Sequence, residues 1–274
     1  MKLVERFPTT RAESNSWAHT ATLVPSNMAT MVAEADASSM QRLRERAKEQ
    51  DPGATPSYTA LVIKAAALTM AANPAANRAI LGFPFFKKLY QFHTTDISVA
   101  VEKSLFGLPG QAYAQPIRDT LGKSTKQITA DLKALVHCTE ANNEGFRRFM
   151  RILKYLPHPL AVWALSLPHW IPSLWAEHHG SACWVNAPSK AGADLVMTTW
   201  PWPITFSFGV VRKRPAVVGD RVEARLTMPL VMVFDRRIMG GGPAGRIFAQ
   251  FKYILENADE QLDIVSKPDD VTQG

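Results

Sequence analysis

Residues 206–256 read FSFGVVRKRPAVVGDRVEARLTMPLVMVFDRRIMGGGPAGRIFAQFKYILE, and their hydrophobic period changes partway along. At Phe206 and Phe208 and again from Val222 to Met228 apolar residues fall at every second position, which puts them on one face of an extended strand; beyond the glycines they fall at every third or fourth, which puts them on one face of a helix. The period of two begins further upstream. Strands fit Ala182–Asn186, Ile204–Val211, Arg221–Leu226 and Pro229–Phe234, with Gly219 and Asp220 turning the chain between the second and third. The chain turns again at Gly240, Gly241 and Gly242. Pro243 then opens a helix to about Asn257, with Ile247, Phe248, Phe251, Ile254 and Leu255 on one stripe.

Earlier segments alternate between the same two periods. Thr20–Ala35 carries the loose alternation of one strand or two, and Asp36 offers an N-cap for a helix through Gln50 with Met40, Leu43 and Ala47 at helical spacing. After the loop DPGATP at 51–56, Ser57 caps a helix that runs to about Ala72, where Asn73 and Pro74 stop it. That helix, LVIKAAALTMAA in its body, is apolar on nearly every face and so must be buried. TDISVAVE (95–102) and Gln111–Ile117 pair as a hairpin around a Gly107–Gly110 turn, and a helix follows from Lys123 to about His137.

The 274 residues, 46% hydrophobic and 20% charged, have an ordinary globular composition, enough for one large core or two modest ones. No repeat, low-complexity tract or linker divides them, which argues for a single domain over 1–274. Two cysteines, Cys138 and Cys183, make neither a disulfide framework nor a zinc site, so no metal centre is expected. The N-terminus lacks the apolar core of a signal peptide, and no run of about 18 apolar residues exists to span a bilayer. A soluble, cytoplasmic protein is the expectation. The formal charge of +7 suits an anionic small molecule, a membrane surface or nucleic acid. Its basic residues lie in short groups (42–48, 147–154, 212–214, 236–237) without zinc finger, aromatic RNA-binding signature or long basic helix, so no nucleic-acid partner is expected.

One stretch differs in character. From 146 to 179 basic residues lead into Trp163, Trp170 and Trp175, and Pro157, Pro159, Pro168 and Pro172 divide the segment into short amphipathic helices. It fits a surface layer packed by tryptophans, a lid over an apolar substrate, or a peripheral membrane contact over 146–175.

The 206–256 segment resembles the catalytic domain of the dihydrolipoamide acyltransferases of 2-oxo acid dehydrogenase complexes: a glycine-containing strand, an RKRP-like turn, a strand of the PLSLSFDHR kind, a glycine turn and a final helix, in that order. DISVAVEKSLFGLPGQAYAQPIRDTLGKSTKQITADLKAL (96–135) is similar to that family's paired strands ending in P-V-I-R-D, and SYTALVIKAAALTMAANPAAN (57–77) to its helix ending in P-x-x-N. The resemblance implies a chloramphenicol acetyltransferase-like α/β fold, a two-layer arrangement with a mixed β-sheet flanked by helices, here as one domain carrying a Trp/Pro-rich helical insertion at about 146–179. It also implies a homotrimer with active sites at subunit boundaries, reached by coenzyme A or acyl-coenzyme A as substrate and by an acceptor, with no cofactor bound permanently. Lipoyl and peripheral-subunit-binding domains have no counterpart in the sequence, so a place in a large complex is not expected.

The family motif is D-H-R-x-x-D-G, whose histidine takes the proton from an attacking thiol or hydroxyl. A thiol with a reference pKa near 8.5 needs such a near-neutral base beside it. This chain has Asp235, Arg236, Arg237, Ile238, Met239, Gly240 and Gly241 there, so Arg236 stands at the histidine position and Gly240 at the second aspartate. Arginine keeps its proton and accepts none, so Arg236 can hold a phosphate, carboxylate, thiolate or oxyanion but cannot act as a general base. His179, next to His178 and just before SACWVNAPS (181–189), is a candidate substitute; His93, His137, His158 and His169 take the ordinary structural or surface reading. Asn186 falls at a family asparagine, and Thr198 or Thr199 suits the family's oxyanion-binding hydroxyl better than Asp194, whose charge repels an oxyanion. Asp235, Arg237, Gly240 and Gly241 shape the active-site turn in the family, which implies that Asp235 and Arg237 are buried or half buried and paired, and Arg118 and Asp119 of PIRD fall where it binds between strands or subunits.

Two functions are consistent with this pattern. One is a stand-alone coenzyme A-dependent acyltransferase that moves an acyl group from a thioester to a small or lipid-like acceptor through an altered motif. The other is a catalytically silent homotrimer that binds a ligand or partner protein in the old channel.

Overall fold

A computed structural model of the chain describes residues 3–6, 8, 27–83, 85–105, 108–187, 192–198 and 201–262. Its strands are β1 (Val4–Arg6), β2 (Met28–Asp36), β3 (Arg78–Leu81), β4 (Lys88–Phe92), β5 (Ile97–Leu105), β6 (Leu108–Ile117), β7 (Cys183–Asn186), β8 (Ile204–Phe208), β9 (Arg212–Val218) and β10 (Arg221–Asp235). Its α-helices are α1 (Ser38–Gln50), α2 (Tyr58–Ala72), α3 (Thr125–Val136), α4 (Glu144–Tyr155), α5 (His158–Trp170), α6 (Pro172–His179), α7 (Gly241–Glu256) and α8 (Ala258–Gln261).

The main sheet runs β2-β10-β8-β7-β5-β6, with β9 paired to the first half of β10. β7 lies parallel to β5 and to β8, and the other pairs are antiparallel, so the sheet is mixed. Alternation along each strand sorts side chains to two faces. Ile97, Val99, Cys183 and Val185 join a large core with α1, α2, α3 and α7, whereas Trp184 faces a smaller one with Trp175, Trp202, Ala79, Leu81 and Phe92. That second core seats α6 and a separate antiparallel sheet, β1-β4-β3.

α2 is the buried helix its all-apolar surface requires. The Ser57 side chain accepts from the Ala60 amide at 3.1 Å to start it. Its one charged residue, Lys64, is buried with Nζ donating to the carbonyls of Leu121 at 2.5 Å and Lys123 at 2.8 Å. Burial lowers the pKa of that amine, and the Asp119 carboxylate works in the opposite direction.

Four local expectations need correction. The strand expected over Gln111–Ile117 already begins at Leu108 and so takes in residues assigned to the turn, whose Gly107 lies outside the described residues. The strand expected over Ile204–Val211 ends at Phe208, and RKRPAVV forms β9 instead of a turn. A β-carbon on Gly209 would lie 1.9 Å from the Asp194 carbonyl oxygen, so a crossing backbone forces the break there. The strands expected on either side of Pro229 are one fifteen-residue strand, β10. Finally, Pro168 sits inside the last turn of α5, where few helical hydrogen bonds follow for it to disrupt.

Candidate active site

β10 is buried over most of its second half and ends on Asp235, whose amide donates to the Pro203 carbonyl at 2.9 Å. The Asp235 carboxylate closes the turn that follows. It accepts from the Arg237 amide at 2.9 Å, from Arg237 Nε at 3.0 and 3.1 Å, and from Arg237 Nη2 at 2.6 Å. A buried carboxylate gripped through both oxygens by one guanidinium holds the turn in a single geometry. Arg236, between them, is exposed; its amide donates to the Asn27 carbonyl at 2.8 Å, and among the described residues its side chain makes no ion pair or hydrogen bond. Gly240 then caps α7 without a side chain, and β-carbons at Gly240 or Gly241 would meet nothing within 4 Å. Bareness at the start of α7, not tight packing, is what these glycines provide.

Asp235 and Arg237 line a cleft of about 240 Å³ together with Lys87, His169, Trp175 and Pro203. Burial holds the His169 pKa below the usual histidine value; a hydrogen bond to the Ser166 backbone opposes this and the nearby Lys87 charge adds to it. The imidazole is therefore neutral at neutral pH, the form that accepts a proton. His169 stands edge-on to Trp175 with ring centroids 5.3 Å apart. Neither Lys87 nor His169 was marked out by the sequence: His169 precedes Asp235 by a long stretch of chain, and only the packing of α5 against the β3–β4 hairpin brings them to one wall.

His179 occupies a different setting. Trp175 stacks on it at 4.6 Å and Trp202 lies at 4.8 Å. Its Nδ1 is buried with no hydrogen-bond partner among the described residues, and burial, followed by electrostatic interaction with His169 and His178, lowers its pKa to about 3. It packs as an aromatic ring, and at that pKa it is a weak base.

Asn186 and Thr198 do meet, with Asn186 Nδ2 donating to Thr198 Oγ1 at 3.2 Å. Thr199 lies outside the described residues. Asp194 is turned away to β9, paired with Arg212 and with Arg214 at 2.8 Å. Asn186 is level with Ser207, whereas Asp235 is level with Pro203 two strands away. Four residue rises and two strand spacings separate the two backbones by about 16 Å. Arg118 and Asp119 lie elsewhere again. Arg118 donates to Asp96 at 2.7 Å and to the carbonyls of Ala176, at 2.9 Å, and Glu177, which ties α6 to the sheet. Asp119, at φ +49°, donates its amide to the same Asp96 carboxylate at 2.8 Å. Arg118 also lines a second cleft, of about 390 Å³, with Lys123, Asp131 and Asn143. No group of three or more metal-binding side chains occurs among the described residues.

The family model for the 2-oxoacid dehydrogenases acyltransferase catalytic domain matches residues 14–146 and 204–262, well over half of the chain. The chain belongs to this family. Comparison with curated proteins finds no match. Among solved structures, this acyltransferase-family chain is similar to a probable dihydrolipoamide acetyltransferase of Listeria monocytogenes, with 20% identity, 97% of each chain covered and a TM-score of 0.60. It is also similar to the dihydrolipoamide acetyltransferase of Azotobacter vinelandii, whose catalytic mechanism has been investigated through a serine, a histidine and an asparagine (18% identity, 94% of this chain and 93% of that one, TM-score 0.63). Chloramphenicol acetyltransferase shares the fold at 11% identity, 95% and 100% coverage and a TM-score of 0.53. The family match omits residues 147–203, which hold most of α4, all of α5 and α6, and β7.

Proposed function

We propose that this member of the acyltransferase family moves an acyl group from a coenzyme A thioester to the thiol or hydroxyl of a small or lipid-like acceptor, in the cytoplasm and at a site completed between subunits of a homotrimer. The Asp235–Arg237 clamp carries the reading, since it keeps the motif's turn rigid although Arg236 has replaced the base. The separation of that turn from Asn186 and Thr198 supports the trimer: within one subunit the two halves are too far apart to touch one reacting group. A neighbouring subunit that presents its Asn186–Thr198 end to this turn brings them together.

Proton transfer then falls to His169. Its neutral imidazole accepts the acceptor's proton while the sulfur or oxygen attacks the thioester carbonyl carbon. A threonine hydroxyl donates to the resulting oxyanion, which collapses and breaks the carbon–sulfur bond. Coenzyme A leaves as a thiolate and recovers the proton from the imidazolium. Arg236, permanently charged and solvated, holds an anionic group of either substrate.

The test is release of free thiol from acetyl- and longer acyl-coenzyme A, with dihydrolipoamide and a set of alcohols as acceptors. Turnover is expected. His169→Gln is expected to lower kcat by about 10²-fold or more and to remove the acidic limb of the pH–rate profile, while Arg236→Ala raises KM with little change in kcat. Absence of both turnover and calorimetric coenzyme A binding at millimolar concentration would leave the silent, ligand-binding homotrimer as the function.

A further inference from the structure

The turn between β3 and β4 ends in GFPFFKK (82–88) and projects its aromatic rings outward. Phe85 is 100% exposed, Phe86 76% and Phe83 55%. Phe85 also takes a positive φ of 71°, which bulky residues rarely adopt. The turn rests on the end of α5: the Gly82 amide donates to the His169 carbonyl at 3.0 Å, and Phe83 stacks on Trp170 with ring centroids 5.1 Å apart. Trp163 meets Trp170 edge-on at 6.4 Å, one helical step from Leu160, and these two residues are 54% and 52% exposed. Two segments distant in sequence thus build one continuous aromatic surface.

The two segments that build this surface carry charge of one sign in sequence, while Glu5 bonds His93 from β1 and Asp235 lines the adjoining cleft. Residues 78–95 and 145–176 contain no aspartate or glutamate, and together they carry seven arginines and lysines: Arg78, Lys87 and Lys88 in the first, Arg147, Arg148, Arg151 and Lys154 in the second. The chain's formal net charge is also +7, so these two segments hold an excess equal to the whole imbalance. Arg148 is engaged by Glu144 and Glu177 from outside them. Lys87, Lys88, Arg151 and Lys154 have no acidic partner among the described residues, and Lys154 lies over the exposed Tyr155 ring at 5.4 Å. Exposed Trp, Phe and Leu on segments that also carry Lys and Arg without acidic partners is a composition that settles at a lipid headgroup boundary. A nucleic-acid duplex would leave the aliphatic and phenylalanine surface in water, and the exposed leucine offers a single strand's bases no stacking face. A two-fold contact with a second copy of the chain would bring the same positive charge against itself. No helix among the described residues is long and apolar enough to cross a membrane, so the contact is peripheral.

We infer that the β3–β4 turn and α5 form a docking surface for an anionic lipid bilayer. Gly82, Lys87 and Trp170 also line the 240 Å³ cleft beside Asp235, which would set that cleft against the lipid surface and suits an acceptor of lipid character. The docking itself does not depend on acyl transfer. It is tested by flotation of the full chain with vesicles of phosphatidylcholine, with and without phosphatidylglycerol as one third of the lipid. Binding is expected to the anionic vesicles and to fall as salt rises. Phe85→Ser with Phe86→Ser should weaken it on the order of tenfold, and Lys87→Glu with Lys88→Glu should abolish the preference for anionic lipid. Phe85, Phe86 and Lys87 are exposed on the turn and Lys88 opens β4 half-buried, and an unchanged melting temperature checks that both pairs leave the fold intact. Equal recovery with both vesicle types, no flotation at all, or undiminished binding by the phenylalanine variant would overturn the inference. So would a smaller assembly for that variant at sedimentation equilibrium, which would assign the surface to a second copy.

Discussion

Asn77 ties the small sheet to the large one, and its removal should be costly. Its side-chain oxygen accepts from the Ala182 amide at 3.0 Å, and its amide nitrogen donates to the carbonyls of Phe92 at 3.1 Å and Thr94 at 2.8 Å. Asn77 and Ala182 are both buried, so water cannot replace what is lost. In Asn77→Ala the orphaned Ala182 amide costs about 1–3 kcal/mol and each lost donor bond about 1 kcal/mol, for a total of about 3–5 kcal/mol. Asn77→Asp separates the terms: it keeps an acceptor for Ala182 but turns a carboxylate toward two carbonyl oxygens. Burial raises that carboxyl's folded pKa above its unfolded value near 3.9. The stabilising contribution of the protonated form is then fully present below the unfolded value and lost as pH rises through the folded one. Urea denaturation across pH should find Asn77→Ala uniformly weakened and Asn77→Asp weakest at neutral pH, recovering toward acid. A loss under 1 kcal/mol in Asn77→Ala, or an Asn77→Asp curve parallel to the parent's, would refute this account of the junction.

Three further outcomes follow from the same geometry. The folded pKa of His179, near 3, lies below the unfolded value of about 6.5, so its contribution is complete above that value and is lost as pH falls; at about pH 5 the parent should have lost about 2 kcal/mol that His179→Phe retains, measured by denaturant unfolding at the two pH values. Gly209→Ala, whose β-carbon would sit 1.9 Å from the Asp194 carbonyl oxygen, should cost about 3 kcal/mol or more and expose the 192–198 segment to limited proteolysis. A double-mutant cycle with Asp235→Ala and Arg237→Ala should return a coupling of about 2 kcal/mol, because either residue alone leaves a largely desolvated charge behind; a value near zero would mean the clamp does not organise the turn.

Legibility followed the range of the forces involved. α2 and α7 were visible because each is decided by periodicity and punctuation within its own residues: Ser57 and Asn73–Pro74 for one, the glycine run and Pro243 for the other. The break at Gly209 was not, since it is imposed by Asp194 crossing from another segment. The motif turn was legible at Asp235, Arg236 and Arg237, and so was the expectation that Asp235 and Arg237 are buried or half buried and paired, which the structure bears out. Packing sends Asp235 and Arg237 in as a pair and leaves Arg236 in water. The fold expected from the family resemblance, a mixed sheet flanked by helices, is the fold observed.

By itself, the order of strands, turn residues and helix stripes from 206 to 256 determined the family, the fold and the loss of the histidine, because each is written in local chemistry. Which titratable groups stand beside that turn was decided only by tertiary structure. His169 and Lys87 reach Asp235 because α5 docks on the β3–β4 hairpin, and their chemistry depends on a burial and a set of neighbours that exist only once those elements have packed.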